Sequence, residues 1–208
     1  MVYYIKTWYD IKQKAHLRKG RIDIMKVLAF LTEGFETVEA LAVIDILRRA
    51  DIDVKTVSIT GNKLVESAQN IKVEADELIE NVSCDKDDVL FLPGGPGHKS
   101  YYKCDRLMDM LVSHNNDGGK LASICAAPSV LGKLGLLKGK NATCFPGFED
   151  MLEGAKLVPS DVRVVTDGNI TTSRGMGTSI DLGLELVRII AGEQMADRLA
   201  HSTQYVSL

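Results

Sequence analysis

Leu121-Ala-Ser-Ile-Cys125-Ala-Ala-Pro-Ser-Val-Leu-Gly132 joins a short apolar run to a helix-like pattern with no polar spacer between them. The chain must therefore turn sharply at Cys125, from strand into helix. Small residues beyond the sulfur let the backbone bend, and Pro128 suits a first helical turn because its missing N–H would have been unpaired there. The free N–H groups of such a turn point towards the sulfur, which predicts a lowered thiol pKa and a nucleophilic thiolate. A buried cysteine acting as a small hydrophobe is the structural alternative.

Working outward, similar strand-to-helix units recur. Residues 26–31 read as a buried parallel strand, residues 32–35 as a turn and residues 36–50 as a helix. Ala40, Val43, Ile44 and Leu47 fall at helical spacing, with Asp45, Arg48 and Arg49 opposite. Glu39 lies in line with Val43, Ile46 and Ala50, so a first-turn carboxylate faces along an apolar stripe. The helix dipole alone would explain Glu36 and, taken singly, Glu39. Residues 54–59 form a second strand, and segments near 64–66 and 71–74 read as short edge strands. A third buried strand, residues 88–92, runs into Pro93-Gly94-Gly95-Pro96-Gly97. Glycines there let backbone N–H groups approach a ligand or an oxyanion, although a glycine turn is more often only a turn. The spacing fits no dinucleotide or P-loop fingerprint.

Residues 105–114 read as a helix, 120–124 as the strand leading to Cys125, and 126–134 as the helix after it. Beyond these, residues 141–144, 162–165 and 170–173 read as strands and 178–191 as a long amphipathic helix, with Arg174-Gly175-Met176-Gly177 joining the last two. Alternating strands and helices predict an α/β domain with a mostly parallel sheet. Ligands of such sheets gather at the carboxyl ends of strands, where Glu39, Gly94, Gly95, Cys125 and Arg174 all fall.

The 208 residues, 45% hydrophobic and 25% charged, suffice for one domain with a large core. Residues 1–24 carry a net charge of +4, which leaves −7 for the rest, and an acidic body excludes nucleic acid as the expected partner. That leader holds Tyr3, Tyr4, Trp8 and Tyr9 before a basic stretch and does not resemble an opening strand. It is read as an extension, either a mobile arm or not native, with a helix packed on the core as a further alternative. Residues 25–208 are read as a single domain. Cys84, Cys104, Cys125 and Cys144 show no paired metal-ligand spacing, so neither metal nor cofactor is expected. Without an apolar run of roughly 18 residues or a signal-peptide pattern, no membrane partner is expected and the reading is cytoplasmic, with reduced thiols.

The set Glu36-Thr-Val-Glu39 with Asp45 and Arg48-Arg49-Ala50 behind it, Leu92-Pro-Gly-Gly95, Ala122-Ser-Ile-Cys-Ala-Ala-Pro128 and Thr172-Ser-Arg-Gly-Met-Gly-Thr178 resembles the ThiJ/PfpI superfamily. The resemblance spans about residues 25–195 and is to the branch of the parkinsonism-associated protein deglycase and its bacterial relatives. It implies a flavodoxin-like sandwich with helices on both faces of the sheet, usually a homodimer. It also implies a cysteine on a strained elbow, by position Cys125, and an acid from the first helix donating a hydrogen bond to it, by position Glu39. Two positions depart from relatives. Ala126 follows the cysteine where PfpI-like peptidases carry His, so no local Cys-His dyad exists and a peptidase is not expected. Phe145 stands where some eukaryotic members carry His, so Glu39 serves alone or with water.

The function expected is that of a cofactor-independent cysteine enzyme of glyoxalase or deglycase type, acting on small α-oxoaldehydes or their adducts. Cys125 adds to the aldehyde to give a hemithioacetal, Glu39 moves protons, and N–H groups of Gly95 and Ala126 steady the oxyanion, with Gly94 and Arg174 as further binding residues. The alternative, from another class, is a redox sensor or chaperone of oxidative stress in which Cys125 becomes a sulfinic acid stabilised by Glu39 without turnover.

Overall fold

The computed structural model describes residues 25–205 and, in backbone only, the pairs Leu17–Arg18 and Arg21–Ile22. Those two pairs form an antiparallel ribbon with each other. The expectation for the leader as a whole, residues 1–24, otherwise lies outside the described residues.

From Met25 the chain runs β1 (Lys26–Leu31), α1 (Thr37–Arg49), β2 (Asp53–Ser58), β3 (Leu64–Glu66), β4 (Lys72–Glu74) and β5 (Glu77–Leu78). It continues with β6 (Val89–Leu92), a 3-10 helix (Pro96–Lys103), α2 (Asp105–Asn116), β7 (Lys120–Ile124) and α3 (Pro128–Lys133). Then follow β8 (Asn141–Ala142), β9 (Lys156–Leu157), β10 (Val164–Asp167), β11 (Ile170–Ser173), α4 (Ser179–Ala191) and α5 (Glu193–Ser202).

Seven strands form the main sheet in the order β10-β11-β7-β6-β1-β2-β5, parallel throughout except that β10 pairs antiparallel with β11. Counting only the long parallel strands, the order is the flavodoxin-like one, and the direction of winding reverses between β1 and β6. Strand residues alternate faces, so neighbours on one strand enter opposite cores. Val27, Ala29, Phe91 and Ile124 join the core under α1, α4 and α5, which contribute Val43, Leu47, Leu182, Val187 and Leu199. Leu28, Phe30, Leu90 and Leu121 join the other core, with Tyr101, Leu107, Leu111, Val130 and Leu131. Burying both faces explains why the strands are near-continuous Val, Ile, Leu and Phe.

Three differences from the sequence reading have physical causes. The segments near 64–66 and 71–74 are not edges of the main sheet. They pair with each other, and the edge beside β2 is Glu77–Leu78. Asp88 does not extend β6, because its carboxylate caps the Lys26 and Asp85 N–H groups and pairs with the Lys26 ammonium at 3.1 Å. The helix after Cys125 starts at Pro128 and has only six residues, since Ala126 and Ala127 are used in the turn.

Candidate active site

Cys125 has φ +65°, a left-handed conformation that costs a residue with a side chain about 1–2 kcal/mol. The surrounding backbone holds it there. Its N–H donates to the Ser173 carbonyl at 3.0 Å, its carbonyl accepts the Phe145 N–H at 2.9 Å, and the Ala127 N–H closes the turn on Ile124 at 3.0 Å. The strand therefore ends on a bend that lifts the half-buried sulfur out of the sheet at its carboxyl edge.

Glu39 reaches that sulfur from the first turn of α1 and is 1% exposed. Glu36 is the helix N-cap, and its carboxylate accepts the Glu39 N–H at 2.6 Å, which sets where the first turn begins. The Gly94 N–H donates to Glu39 Oε2 at 2.9 Å, and the Glu39 carboxyl and the Cys125 sulfur share a hydrogen bond. Gly94 is glycine for a steric reason. A methyl group there would lie 2.6 Å from Glu39 Oε2, 2.7 Å from Cys125 Cβ and 2.8 Å from the Ile124 carbonyl oxygen.

Two backbone N–H groups, of Gly95 and Ala126, lie near enough to the sulfur to pull its pKa down. Each belongs to a peptide unit whose other end is also held. The Gly94 carbonyl accepts the Glu36 N–H at 3.0 Å, and the Cys125 carbonyl accepts the Phe145 N–H at 2.9 Å. A peptide polarised at its carbonyl is a better donor at its N–H, so both arrangements strengthen the pair that faces the thiol.

The electrostatics differ from the expectation of a thiol lowered by a helix terminus. Burial, with a smaller contribution from the Glu36 charge, raises the Glu39 carboxyl to about 7, against the hydrogen bonds from Cys125 and Gly94. The Cys125 thiol is pushed up to about 12 by burial and then by the charge and hydrogen bond of Glu39, while the Gly95 and Ala126 N–H groups pull it down. Burial outweighs the expected downward shift, and the downward pull that exists comes from the adjacent Gly95 and Ala126 amides. The upward push of Glu39 exists only while Glu39 is charged. The two groups titrate as one coupled system: with the carboxyl protonated, the repulsion from Glu39 vanishes and sulfur meets a neutral donor and two N–H groups, which offsets part of the push from burial.

Glu39, Gly94, Gly95, Cys125 and Ala126 are thus brought together from β6, β7 and α1. Arg174, the remaining candidate binding residue, follows β11 and is half-buried. Its charge pulls the Cys144 thiol down, against the burial that raises that thiol overall, and helps to lower the Glu149 carboxyl. Glu36 and Phe145 were missed as supporting residues. The spacing of Glu36 three residues before Glu39 was a readable capping signal, whereas the Phe145 contact is between backbones and leaves no trace in residue type. Phe145 also packs beside the site, since a methyl group at Gly175 would meet its ring at 3.1 Å and Glu39 Oε1 at 3.9 Å. Among the described residues no group of three or more His, Cys, Asp or Glu could hold a metal ion, and all four cysteines are free.

Comparison with known proteins finds the same elements elsewhere. The model of the DJ-1/PfpI family matches residues 25–189. Protein dj-1beta of Drosophila melanogaster is 36% identical over 174 residues, 83% of this chain and 93% of that protein. Its crystal structure superposes with a TM-score of 0.83 at 34% identity, covering 88% of this chain and 99% of that one. Protein DJ-1 homolog A of Arabidopsis thaliana is 37% identical over 84% of this chain, which spans only 45% of that longer relative. A glutathione-independent glyoxalase of Caenorhabditis elegans is 27% identical over 80% of this chain and 89% of its own length.

Proposed function

Because the chain belongs to the DJ-1/PfpI family, we propose that it is a cofactor-independent cysteine enzyme of the glyoxalase type, converting small α-oxoaldehydes into 2-hydroxy acids. The observation that carries this reading is a carboxyl raised to about 7, 1% exposed and hydrogen-bonded to a sulfur on a left-handed elbow. A group that titrates near neutrality beside a nucleophile both gives and takes protons at working pH. The name of the Caenorhabditis elegans relative supports the same chemistry.

The Cys125 thiolate attacks the aldehyde carbon, forming the C–S bond, and the carbonyl electron pair moves to oxygen, which takes the Glu39 proton. In this reading the Gly95 and Ala126 N–H groups steady that negative charge, each such donor being worth about 3 kcal/mol. Glu39, now a carboxylate, removes the proton from the hemithioacetal carbon to give an enediolate and returns it to the neighbouring carbon, while the hemithioacetal hydroxyl gives its proton to the former carbonyl oxygen as its own C=O forms. The product is a thioester of the hydroxy acid, and water cleaves it to release the acid and restore the thiol. One aldehyde and one water give one hydroxy acid, and no outside oxidant is required.

The test is to mix purified protein with methylglyoxal in amine-free buffer and follow lactate. Steady lactate formation that Cys125→Ser abolishes, with the variant still folded, is the expected result. The amine-free condition separates turnover of the free aldehyde from release out of an adduct. Wild-type protein that forms no lactate but takes up oxygen at Cys125 would overturn the enzyme reading in favour of a redox sensor.

A further inference from the structure

His98 is a buried titratable side chain for which the mechanism above has no use. It sits in the 3-10 helix after the glycine turn and is 4% exposed. Its Nδ1 lies 2.9 Å from the Gly95 carbonyl oxygen, and since a carbonyl only accepts, Nδ1 carries the hydrogen. The ring is set edge-on to Phe148 at 5.2 Å and to Tyr102 at 6.3 Å. Burial is the main reason its pKa lies below the ordinary histidine value, which favours the neutral ring with a single N–H.

We propose that His98 is a positioning residue for the Gly95 oxyanion donor: its Nδ1–H holds the Gly95 carbonyl and so fixes the peptide after Gly95, while the Glu36 N–H holds the peptide before it, and together they keep the Gly95 N–H beside the Cys125 sulfur. Gly95 needs such a hold. With φ +93° and ψ 171° it sits where only glycine rests comfortably, and nothing in its own side chain restricts rotation of the two flanking peptides. Its carbonyl takes two donors, the His98 N–H at 3.1 Å and the ring Nδ1–H at 2.9 Å. A parallel contact fixes the second donor residue. The Ser129 hydroxyl donates to the Ala126 carbonyl at 2.5 Å and lies 2.6 Å from the Tyr102 hydroxyl, and Tyr102 is the ring that His98 meets edge-on. One cluster behind the pocket thus grips the carbonyls of both residues whose N–H groups face the thiol.

The proposal rests on the glyoxalase reading only for its effect on turnover. Its effect on the sulfur is independent of that reading, because the Gly95 N–H meets Cys125 before any substrate arrives. The experiment compares His98→Phe with His98→Asn. Phenylalanine keeps an aromatic ring against Phe148 and Tyr102 but loses the donor. Asparagine loses the ring, yet places its Nδ2 where histidine has Nδ1, one bond beyond Cγ in both. Two quantities are read: kcat and KM for methylglyoxal, and the rate of Cys125 alkylation by iodoacetamide at pH 7. The expected result is that His98→Phe stays folded, loses about tenfold in kcat with KM unchanged, a partial loss of an oxyanion donor, and alkylates several-fold more slowly. His98→Asn, though less heat-stable, restores both quantities to within about threefold of wild type. Wild-type kcat and alkylation in His98→Phe would overturn the proposal, as would an asparagine variant that is folded but as slow as the phenylalanine one. If the wild type forms no lactate at all, the glyoxalase reading fails while the alkylation comparison still decides the role of His98.

Discussion

At the scale of single residues, Glu39 and Cys125 act on each other's titration, and a substitution that blocks proton exchange separates a chemical role for Glu39 from a structural one. Glu39→Gln keeps size and a hydrogen-bond donor but exchanges no proton, so methylglyoxal turnover is expected to fall by roughly 10²-fold or more while the thiol still alkylates. Turnover at the wild-type rate would rule out general acid-base catalysis by this residue. The raised carboxyl also has a stability consequence. The folded state binds the Glu39 proton up to about 7, whereas the unfolded chain releases it near 4.5. This group's contribution is therefore full below pH 4.5 and is lost as pH rises through 7. Relative to wild type, Glu39→Gln should gain up to about 3 kcal/mol between pH 4.5 and pH 8, read by urea denaturation at each pH. A constant difference between the two proteins would mean that Glu39 is not raised. Both residues were legible from sequence, Cys125 by its place at a strand end and Glu39 by breaking an apolar stripe at positions Val43, Ile46 and Ala50, all of which are buried.

At the scale of elements, the elbow after β7 and the turn after β6 form a single unit. The Gly94 carbonyl ties to α1, the Gly97 N–H ties to the Gly34 carbonyl at 2.9 Å, and Gly94 fills the space between Glu39 and Cys125. Gly94→Ala should push the acid and the thiol apart, costing about 1–3 kcal/mol of stability and at least 10²-fold in turnover. An alanine variant with wild-type activity would show that the turn has slack. Tyr101 belongs to the same unit, since its buried hydroxyl lies 2.9 Å from the Phe30 carbonyl and 3.1 Å from the Pro93 carbonyl, joining the carboxyl ends of β1 and β6. The long strands and helices were readable because burial on both sheet faces imposes continuous apolar runs and because α1 has a clean stripe. The 3-10 helix at Pro96–Lys103 was not, since its Gly, Lys and Ser pattern has no helical period and its form comes from packing His98 and Tyr101 inward. Helix α5 was missed for a similar reason, with only Ala196 and Leu199 buried along ten residues.

At the scale of the whole molecule, the order of the sheet explains why these residues meet. Winding reverses between β1 and β6, so the connections leaving those strands run to opposite faces and leave a crevice at their carboxyl ends. The loop after β1 enters it with Glu36 and Glu39, the loop after β6 with Gly94 and Gly95, and β7 beside them with Cys125. That crevice was predictable from the alternation of strands and helices, whereas the antiparallel pairing of β10 with β11 was not, because a short strand of mixed exposure carries no sign of its direction. The same geography bears on residues 1–24. Every residue of the acid, thiol and amide group lies between Glu36 and Ala126, its backbone supports extend only to Ser173, and the family match begins at residue 25. The ribbon of Leu17–Arg18 and Arg21–Ile22 pairs with itself and joins no strand of the main sheet. A protein starting at Met25 should therefore fold and keep kcat/KM for methylglyoxal within about twofold, since no reacting group or oxyanion donor is removed. It also loses a net charge of +4, which makes the remaining chain more acidic and should speed elution from a cation exchanger without altering the melting temperature by more than a few degrees. A truncated protein that folds and alkylates at Cys125 but turns over no aldehyde would show that the leader supplies part of the substrate's seat.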